Sequence, residues 1–115
     1  MRVCMRTPEG KTVVLDTRTD EVLYRAPRNP PNTGTRYTRG TDLLAHRARS
    51  GNLYFYLYHW SMWQGEDDWV ELVTREEAEA FLFDKTTKPG WEHLSEEEAK
   101  ELNELYGFHL YEETA

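Results

Sequence analysis

One histidine with three nearby acids forms the local group of residues that best suits metal or acid–base chemistry. His59 ends an apolar stretch, and Glu66, Asp67 and Asp68 follow it in a polar segment. Imidazole nitrogens and carboxylate oxygens both bind divalent metal ions. The group lacks an established ligand spacing, however, and acids in a polar segment are ordinarily solvated. A metal-dependent site at His59 and Glu66 therefore stays a hypothesis, and we expect neither a metal nor another cofactor.

The remaining nucleophiles and histidines form no catalytic pattern. Cys4 is the single cysteine, so no internal disulfide can form, and no base accompanies it in the sequence. It lies in a short apolar stretch, Val3 to Met5, where we expect a buried thiol. The glycines are isolated and form no phosphate-binding loop. We therefore expect that the protein is not an enzyme.

Tryptophans and a methionine cluster around a Gln-Gly-Glu segment and suit protein recognition. Tryptophan and methionine are enriched in recognition surfaces, and tryptophan is frequent among the residues that dominate binding energy. The alternative is that the tryptophans close one end of the core. We predict a site for a protein partner formed by Trp60, Met62, Trp63, Gln64, Glu66 and Trp69.

A second candidate surface combines tyrosines with arginines. Tyr54, Tyr56 and Tyr58 alternate with apolar residues, so they share one strand face with Trp60. Some sheet domains bind single-stranded nucleic acid by stacking bases on such rings and contacting phosphates with arginine. The alternative is that helices cover this face, and the net charge of −7 disfavours polyanion binding. The basic segment consists of Arg28, Arg36, Arg39, Arg47 and Arg49.

The charge of the chain changes sign along the sequence. Residues 1–52 carry ten basic and five acidic residues, a net charge of +5, and residues 53–115 carry four and sixteen, a net charge of −12. Glu97, Glu101 and Glu104 recur at helical spacing and form an acidic face. Such a face can dock on a basic partner, although most charged surfaces are simply solvated.

Alternating apolar and β-branched residues predict an antiparallel sheet of about five to six strands. Residues 11–25 and 42–60 are each predicted to form a hairpin, the second around a turn that contains Gly51. With Ser50 and Gly51 at the tip, Leu44 faces Leu57 across the second hairpin. Both faces of residues 53–60 are apolar or amphipathic, so this strand is expected to be central, with Phe55 buried.

Two C-terminal helices, at about 75–84 and 96–106, are predicted to pack against the sheet. Capping boxes at Thr74–Glu77 and Ser95–Glu98 begin them, and Gly107 ends the second. The predicted buried stripes are Ala78, Phe81 and Leu82 in the first helix, and Ala99, Leu102, Leu105 and Tyr106 in the second.

The size and composition predict one α+β domain over residues 1–115. A chain of 115 residues with 13% aromatic residues can form a single core. Prolines and arginines make residues 26–41 a long loop, and we expect residues 27–40 to be mobile and protease-sensitive. No stretch reaches membrane-spanning length and Met1–Gly10 lacks a signal-peptide pattern, so we expect a cytoplasmic location and no membrane contact.

Several short motifs follow one another in a fixed order within residues 11–83. They are Asp16–Thr19, Thr41–Arg47, Ser50–Leu57, Trp63–Glu66 and Glu71–Ala78. This order resembles a family of small uncharacterised bacterial proteins found on phages, plasmids and other mobile elements. The resemblance implies the same sheet-and-helix fold and a mobile-element context, and it supplies no catalytic residue. The chain departs from the family pattern at Asp20, where alanine is usual, and in the proline-rich insert at 26–36.

Three functions are consistent with these patterns. The leading hypothesis is a non-enzymatic protein-binding or regulatory domain; one version is an inhibitor of a host nucleic-acid-processing system, such as an anti-CRISPR protein, whose acidic helices fill a basic groove. The second is nucleic-acid binding through the Arg28–Arg49 segment and the tyrosines, and the third is a small metal-dependent enzyme at His59 and Glu66. The partner's identity, the oligomeric state and the choice among the three surfaces stay open.

Overall fold

The computed structural model describes residues 1–28 and 37–110, and these form an α+β fold with six antiparallel strands and two α-helices. The predicted fold class is therefore confirmed. A short 3₁₀ turn at Gly90–Glu92 separates the two helices. The strands are β1 (Arg2–Arg6), β2 (Thr12–Asp16), β3 (Glu21–Tyr24), β4 (Arg39–Arg47), β5 (Leu53–Ser61) and β6 (Trp69–Val73), and the helices are α1 (Arg75–Thr86) and α2 (Glu96–Tyr106).

The chain divides into two compact units. Residues 1–74 contain the six strands, and residues 75–115 contain both helices. The expectation of one domain, with the helices packed on the sheet, stays a prediction. Part of the predicted mobile loop, residues 29–36, lies outside the described residues.

The first hairpin is formed by β1 and β2, and not by residues 11–25 as predicted. Cys4 lies opposite Val14 in this two-stranded sheet, whereas β3 pairs with β4 in a separate sheet. Gly10 has a left-handed φ of +84° and closes the turn between β1 and β2. After β2, the Asp20 carboxylate accepts a hydrogen bond from the Asp16 N–H at 2.9 Å. This side-chain-supported turn leads the chain into the second sheet, so the prediction of a hairpin across residues 11–25 was wrong.

The second sheet has the strand order β3-β4-β5-β6, and its central pair confirms the predicted hairpin at 42–60. The register differs from the prediction by one residue, because Leu44 lies opposite Tyr56 and not Leu57. The turn is longer than two residues: the Ala48 N–H donates to the Asn52 carbonyl at 2.9 Å. The left-handed φ of +91° at Gly51 allows this wider turn.

Both faces of β5 carry buried side chains, as expected for a central strand. Tyr56 is fully buried in a cluster with residues of β2, β4 and β6, while Phe55, on the opposite face, is 5% exposed. Val3 and Met5 of β1 pack against the same cluster. Because side chains alternate along a strand, Cys4 then points away from it and is exposed. The expectation of a buried thiol was therefore wrong.

The helix positions agree with the prediction, and α1 continues two residues further, to Thr86. Ser95 and Glu98 form the predicted capping box of α2, and Gly107 ends that helix with a left-handed φ of +77°. Leu105 was wrongly placed in the buried stripe and is 64% exposed. The buried residues of α2 are Ala99 and Leu102, Tyr106 is half-buried, and Leu105 lies outside the buried side of the helix. No helix in the described part of the chain is long and apolar enough to span a membrane.

Candidate functional site

Three large apolar side chains are exposed where β5 ends and β6 begins. Met62, Trp63 and Trp69 have exposed fractions of 48%, 44% and 51%, and we call these three residues the tryptophan face. Gln64 and Glu66, in the same connection, are also exposed. Trp60 differs, because it is only 6% exposed. Both alternatives for the tryptophan cluster thus apply to part of it: Trp60 is a core residue and the others are on the surface.

The buried position of Trp60 depends on a glycine and an aspartate. Trp60 lies opposite Gly40 on β4, and a β-carbon at Gly40 would come within 2.5 Å of Trp60 Cζ2. The ring therefore lies over a strand position that only glycine leaves open. The indole Nε1–H donates to Asp42 Oδ1 at 3.0 Å, which satisfies its buried polar group.

Asp42 is a buried carboxylate that organises this end of the sheet. It is 3% exposed and accepts hydrogen bonds from the Ala26 N–H at 2.8 Å and from Arg28 Nη2 at 2.6 Å, in addition to Trp60. The Arg28 guanidinium also lies over the Trp60 ring, 4.2 Å from its centroid. Arg28, predicted as part of a basic surface, thus forms an ion pair with a buried carboxylate, and its own side chain is 28% exposed.

The carboxylates of Glu66 and Asp68 hold the connection from Ser61 to Asp68 in place. Arg39 donates to both carboxylate oxygens of Glu66, at 2.8 and 2.7 Å, and Ser61 Oγ also donates to Glu66. These hydrogen bonds, Arg39 first, lower the pKa of Glu66 to about 2. Asp68 accepts from the Ser61 N–H at 3.0 Å and from the Tyr58 hydroxyl. These hydrogen bonds to Glu66 and Asp68 therefore fix the loop that presents Trp63.

Trp63 is exposed but held in one orientation. Its indole Nε1–H donates to Thr38 Oγ1 at 2.8 Å, and its backbone N–H donates to Ser61 Oγ at 3.0 Å. The Met62 N–H donates to the Thr38 carbonyl at 2.8 Å. The Arg39 guanidinium lies 5.9 Å from the Trp63 ring centroid, near the outer limit of a cation–π contact.

Trp69 is supported by His59 in a similar way. The two rings stack with centroids 4.1 Å apart and an angle of 23° between their planes. His59 Nδ1 lies 2.9 Å from Thr41 Oγ1, and Nε2 lies 2.8 Å from Glu71 Oε1. Both imidazole nitrogens therefore have partners within the protein, and the ring serves to position Trp69.

An open groove of about 330 Å³ lies beside Trp69. Glu66, Asp67, His59 and Trp69 line it, together with Arg39, which links it to Trp63. The structure thus brings the predicted metal-site residues His59 and Glu66 to one groove but engages each with a different partner. Within the described residues, no group of three or more His, Cys, Asp or Glu side chains is arranged to hold a metal ion.

The tyrosines do not form one exposed stacking surface. Tyr56 is fully buried and its hydroxyl donates to Asp20 Oδ2 at 2.7 Å. Burial, followed by this hydrogen bond, raises the pKa of Tyr56. Tyr54 and Tyr58 are half-buried, and burial raises the pKa of Tyr58 to about 12.

The basic segment is divided among several environments. Arg28 and Arg39 pair with Asp42 and Glu66, whereas Arg47 and Arg49 are exposed. Arg36 lies outside the described residues. The described arginines of the segment therefore do not form one unpaired cationic surface.

Sequence reasoning missed a polar cluster around Asp20. Asp20 Oδ1 lies 2.8 Å from His46 Nδ1, and Oδ2 accepts from the Tyr56 hydroxyl and from the Asp16 N–H. The available signal was Tyr56 itself, since a tyrosine expected in a core needs a hydrogen-bond partner. The cluster fastens the turn before β3 to both central strands of the second sheet.

The three glutamates of the predicted acidic face lie on α2. Glu97, Glu101 and Glu104 are all exposed, and Leu105 lies exposed beside Glu104. This surface belongs to the helical unit, residues 75–115, and the tryptophan face belongs to residues 1–74.

The chain matches no protein-family model, no curated protein and no solved structure. The contacts described above are therefore the basis on which a function is assigned.

Proposed function

We propose that this protein is a non-enzymatic protein-binding domain whose contact surface is the tryptophan face. The observation that carries the proposal is the exposure of Met62, Trp63 and Trp69, at 44% to 51% each, at one end of a sheet. Neighbouring exposed apolar side chains mark interaction sites more often than single ones do. Tryptophan and methionine are also the residue types enriched in protein interfaces.

The rigidity of the face supports the same function. Thr38 and Ser61 fix Trp63, and His59 and its two hydrogen-bond partners fix Trp69. Ordering a mobile side chain at an interface costs free energy, so rings that are already fixed bind with less entropic loss.

Nucleic-acid binding receives less support from the same region. Tyr56 and Trp60 are buried and offer no ring face to a base, and Arg28 and Arg39 are already paired with carboxylates. The loop beside the face carries Glu66, Asp67 and Asp68, which repel phosphate.

The biological setting rests on the motif resemblance alone. That resemblance supports a regulatory protein of a mobile element, and an inhibitor of a host nucleic-acid-processing system is one such role. This version would use the acidic face of α2 on a basic groove, and it is separated from the tryptophan-face proposal by the charge-reversal experiment described in the Discussion.

The proposal is tested by comparing two tryptophan variants in an affinity purification from the native host. Trp63→Ala should weaken binding of the captured partner by about 2 kcal/mol or more, as expected for a residue at the centre of an interface. Trp91→Ala is the matched control, because Trp91 is 70% exposed but lies in the helical unit. The dissociation constant of the purified complex is measured by calorimetry for each variant.

Two checks make the result decisive. The circular dichroism spectrum of Trp63→Ala and its cooperative melting should show that the variant is folded, because Trp63 is not part of the core. Equal affinities of the parent and a folded Trp63→Ala variant for every captured protein would refute the proposal.

A further inference from the structure

Carboxylates outnumber basic groups around the tryptophan face. Glu66, Asp67, Asp68 and Glu71 lie in or next to the connection that presents it, and Arg39 is the basic residue in the groove lining. With His59 neutral, these five charged groups have a net charge of −3. Arg39 is already bound to both oxygens of Glu66, so its charge is largely compensated.

Asp67 is the carboxylate best placed to meet a partner. It is exposed, lines the groove with Trp69, and has no hydrogen bond or ion pair with any other described residue. Its neighbours differ, because Glu66 is bound by Arg39 and Asp68 by Ser61 and Tyr58. An uncompensated carboxylate beside an exposed indole is the environment that a lysine or arginine side chain recognises.

We infer that the tryptophan face binds a partner segment in which lysine or arginine stands next to apolar residues, with the cationic group in the groove lined by Asp67 and Trp69. This inference rests on the proposed function and adds the chemistry of the partner. The apolar residues would cover Met62 and Trp63, and the cation would lie against the Trp69 ring and the Asp67 carboxylate. A nucleic acid is disfavoured by the same charges.

The test uses a random twelve-residue peptide library displayed on phage and selected on the immobilised parent protein. Selected peptides should be rich in lysine or arginine adjacent to leucine or aromatic residues. The best peptide is then synthesised together with a copy in which its basic residues are replaced by glutamine. The glutamine copy should bind the parent about three- to tenfold more weakly, the range expected for an exposed cation–π contact supported by one carboxylate.

Two protein variants locate the effect. Asp67→Asn should lower the affinity for the basic peptide about two- to fivefold, since the cation–π contact remains, and leave the affinity for the glutamine copy unchanged. Asp84→Asn is the matched control, since Asp84 is an exposed acid of the helical unit, and it should bind both peptides as the parent does.

The outcomes separate this inference from the proposed function. Peptides that require Trp63 but carry no basic residues would overturn the inference and leave the proposed function standing. Peptides that bind Trp63→Ala as well as the parent would overturn both, and so would a selection that enriches no peptide. Trp63-dependent binding of a single-stranded DNA oligonucleotide would also overturn the inference, because it requires a phosphate-compatible surface.

Discussion

Asp42 and Glu66 both accept hydrogen bonds from arginine, but their surroundings give them different energetic importance. Asp42 is 3% exposed, whereas Glu66 lies on the surface. Removing the Asp42 carboxylate would leave two buried donors, the Ala26 N–H and the Trp60 indole N–H, without an acceptor. An exposed pair is screened by solvent and contributes little.

We therefore expect Asp42→Ala to lower the free energy of unfolding by about 2–4 kcal/mol, because each buried donor left without an acceptor costs about 1–3 kcal/mol. Urea denaturation followed by tryptophan fluorescence measures this change. Glu66→Gln is the control and should unfold close to the parent. A loss below about 1 kcal/mol for Asp42→Ala would mean that the carboxylate is not the buried acceptor described here.

The contacts of Glu66 should persist until the pH is strongly acidic. The hydrogen bonds from Arg39 lower the pKa of Glu66 from 4.5 to about 2, so its stabilising contribution is complete above pH 4.5 and is lost as the pH falls towards 2. The carboxyl carbon shift of Glu66 in an NMR titration should show this low midpoint. In Arg39→Gln the midpoint should move up towards 4.5, and an unchanged midpoint would contradict the assigned cause.

At the scale of elements, the ends of the second helix were predicted well, whereas the pairing and register of the strands were predicted only in part. The helix start at Ser95 and the end at Gly107 follow from a few adjacent residues, so the sequence predicted them. The hairpin at 11–25 failed because β2 has two neighbours along the chain, and the sequence does not say which one it pairs with. The hairpin at 42–60 was predicted correctly, but its strand register was wrong by one residue. The turn is longer than the two residues predicted, and turn length sets the register.

The candidate site shows the same difference between features that follow from adjacent residues and features that depend on strand pairing. From residue type and a polar neighbourhood, the sequence predicted an exposed cluster of tryptophans and methionine, with tryptophans closing one end of the core as the alternative. Met62, Trp63 and Trp69 are exposed, and Trp60 is buried. The sequence could not distinguish among the tryptophans, because the burial of Trp60 depends on Asp42, eighteen residues away, and on Gly40 across the sheet. Contacts of this kind are set by register and not by local sequence.

The burial of Phe55 on β5 gives a test of the sheet. Phe55→Ala should cost about 3–5 kcal/mol in the free energy of unfolding, because the side chain is 5% exposed and a cavity would replace it. Leu105→Ala, at a residue that is 64% exposed, is the control and should cost about 0.5 kcal/mol or less. Similar losses of unfolding free energy for the two variants, measured by chemical denaturation, would mean that Phe55 lies on an exposed side of the strand.

At the scale of the whole molecule, the charge asymmetry follows the division into two units. Residues 1–74 carry ten basic and nine acidic residues, a net charge of +1, and residues 75–115 carry four and twelve, a net charge of −8. The acidity of the protein is therefore a property of its helical unit. The two candidate surfaces consequently differ in how their binding should respond to salt.

Reversing the charge of Glu97, Glu101 and Glu104 to lysine separates the two surfaces. If the tryptophan face is the contact, we expect the triple variant to keep the association rate of the parent within about threefold at physiological salt. Stopped-flow association at two ionic strengths measures this. A larger decrease in rate that salt abolishes, with Trp63→Ala unaffected, would assign the contact to the acidic face of α2.

The fixed exposure of Met62, Trp63 and Trp69 also has a thermodynamic consequence. Water now covers apolar surface that a partner must displace, and removing such surface from water gives a negative heat-capacity change of association. The enthalpy of complex formation should therefore become more favourable as temperature rises. Because the rings are already held in place before binding, little of that heat-capacity change would come from folding, and it would measure the area that the partner covers.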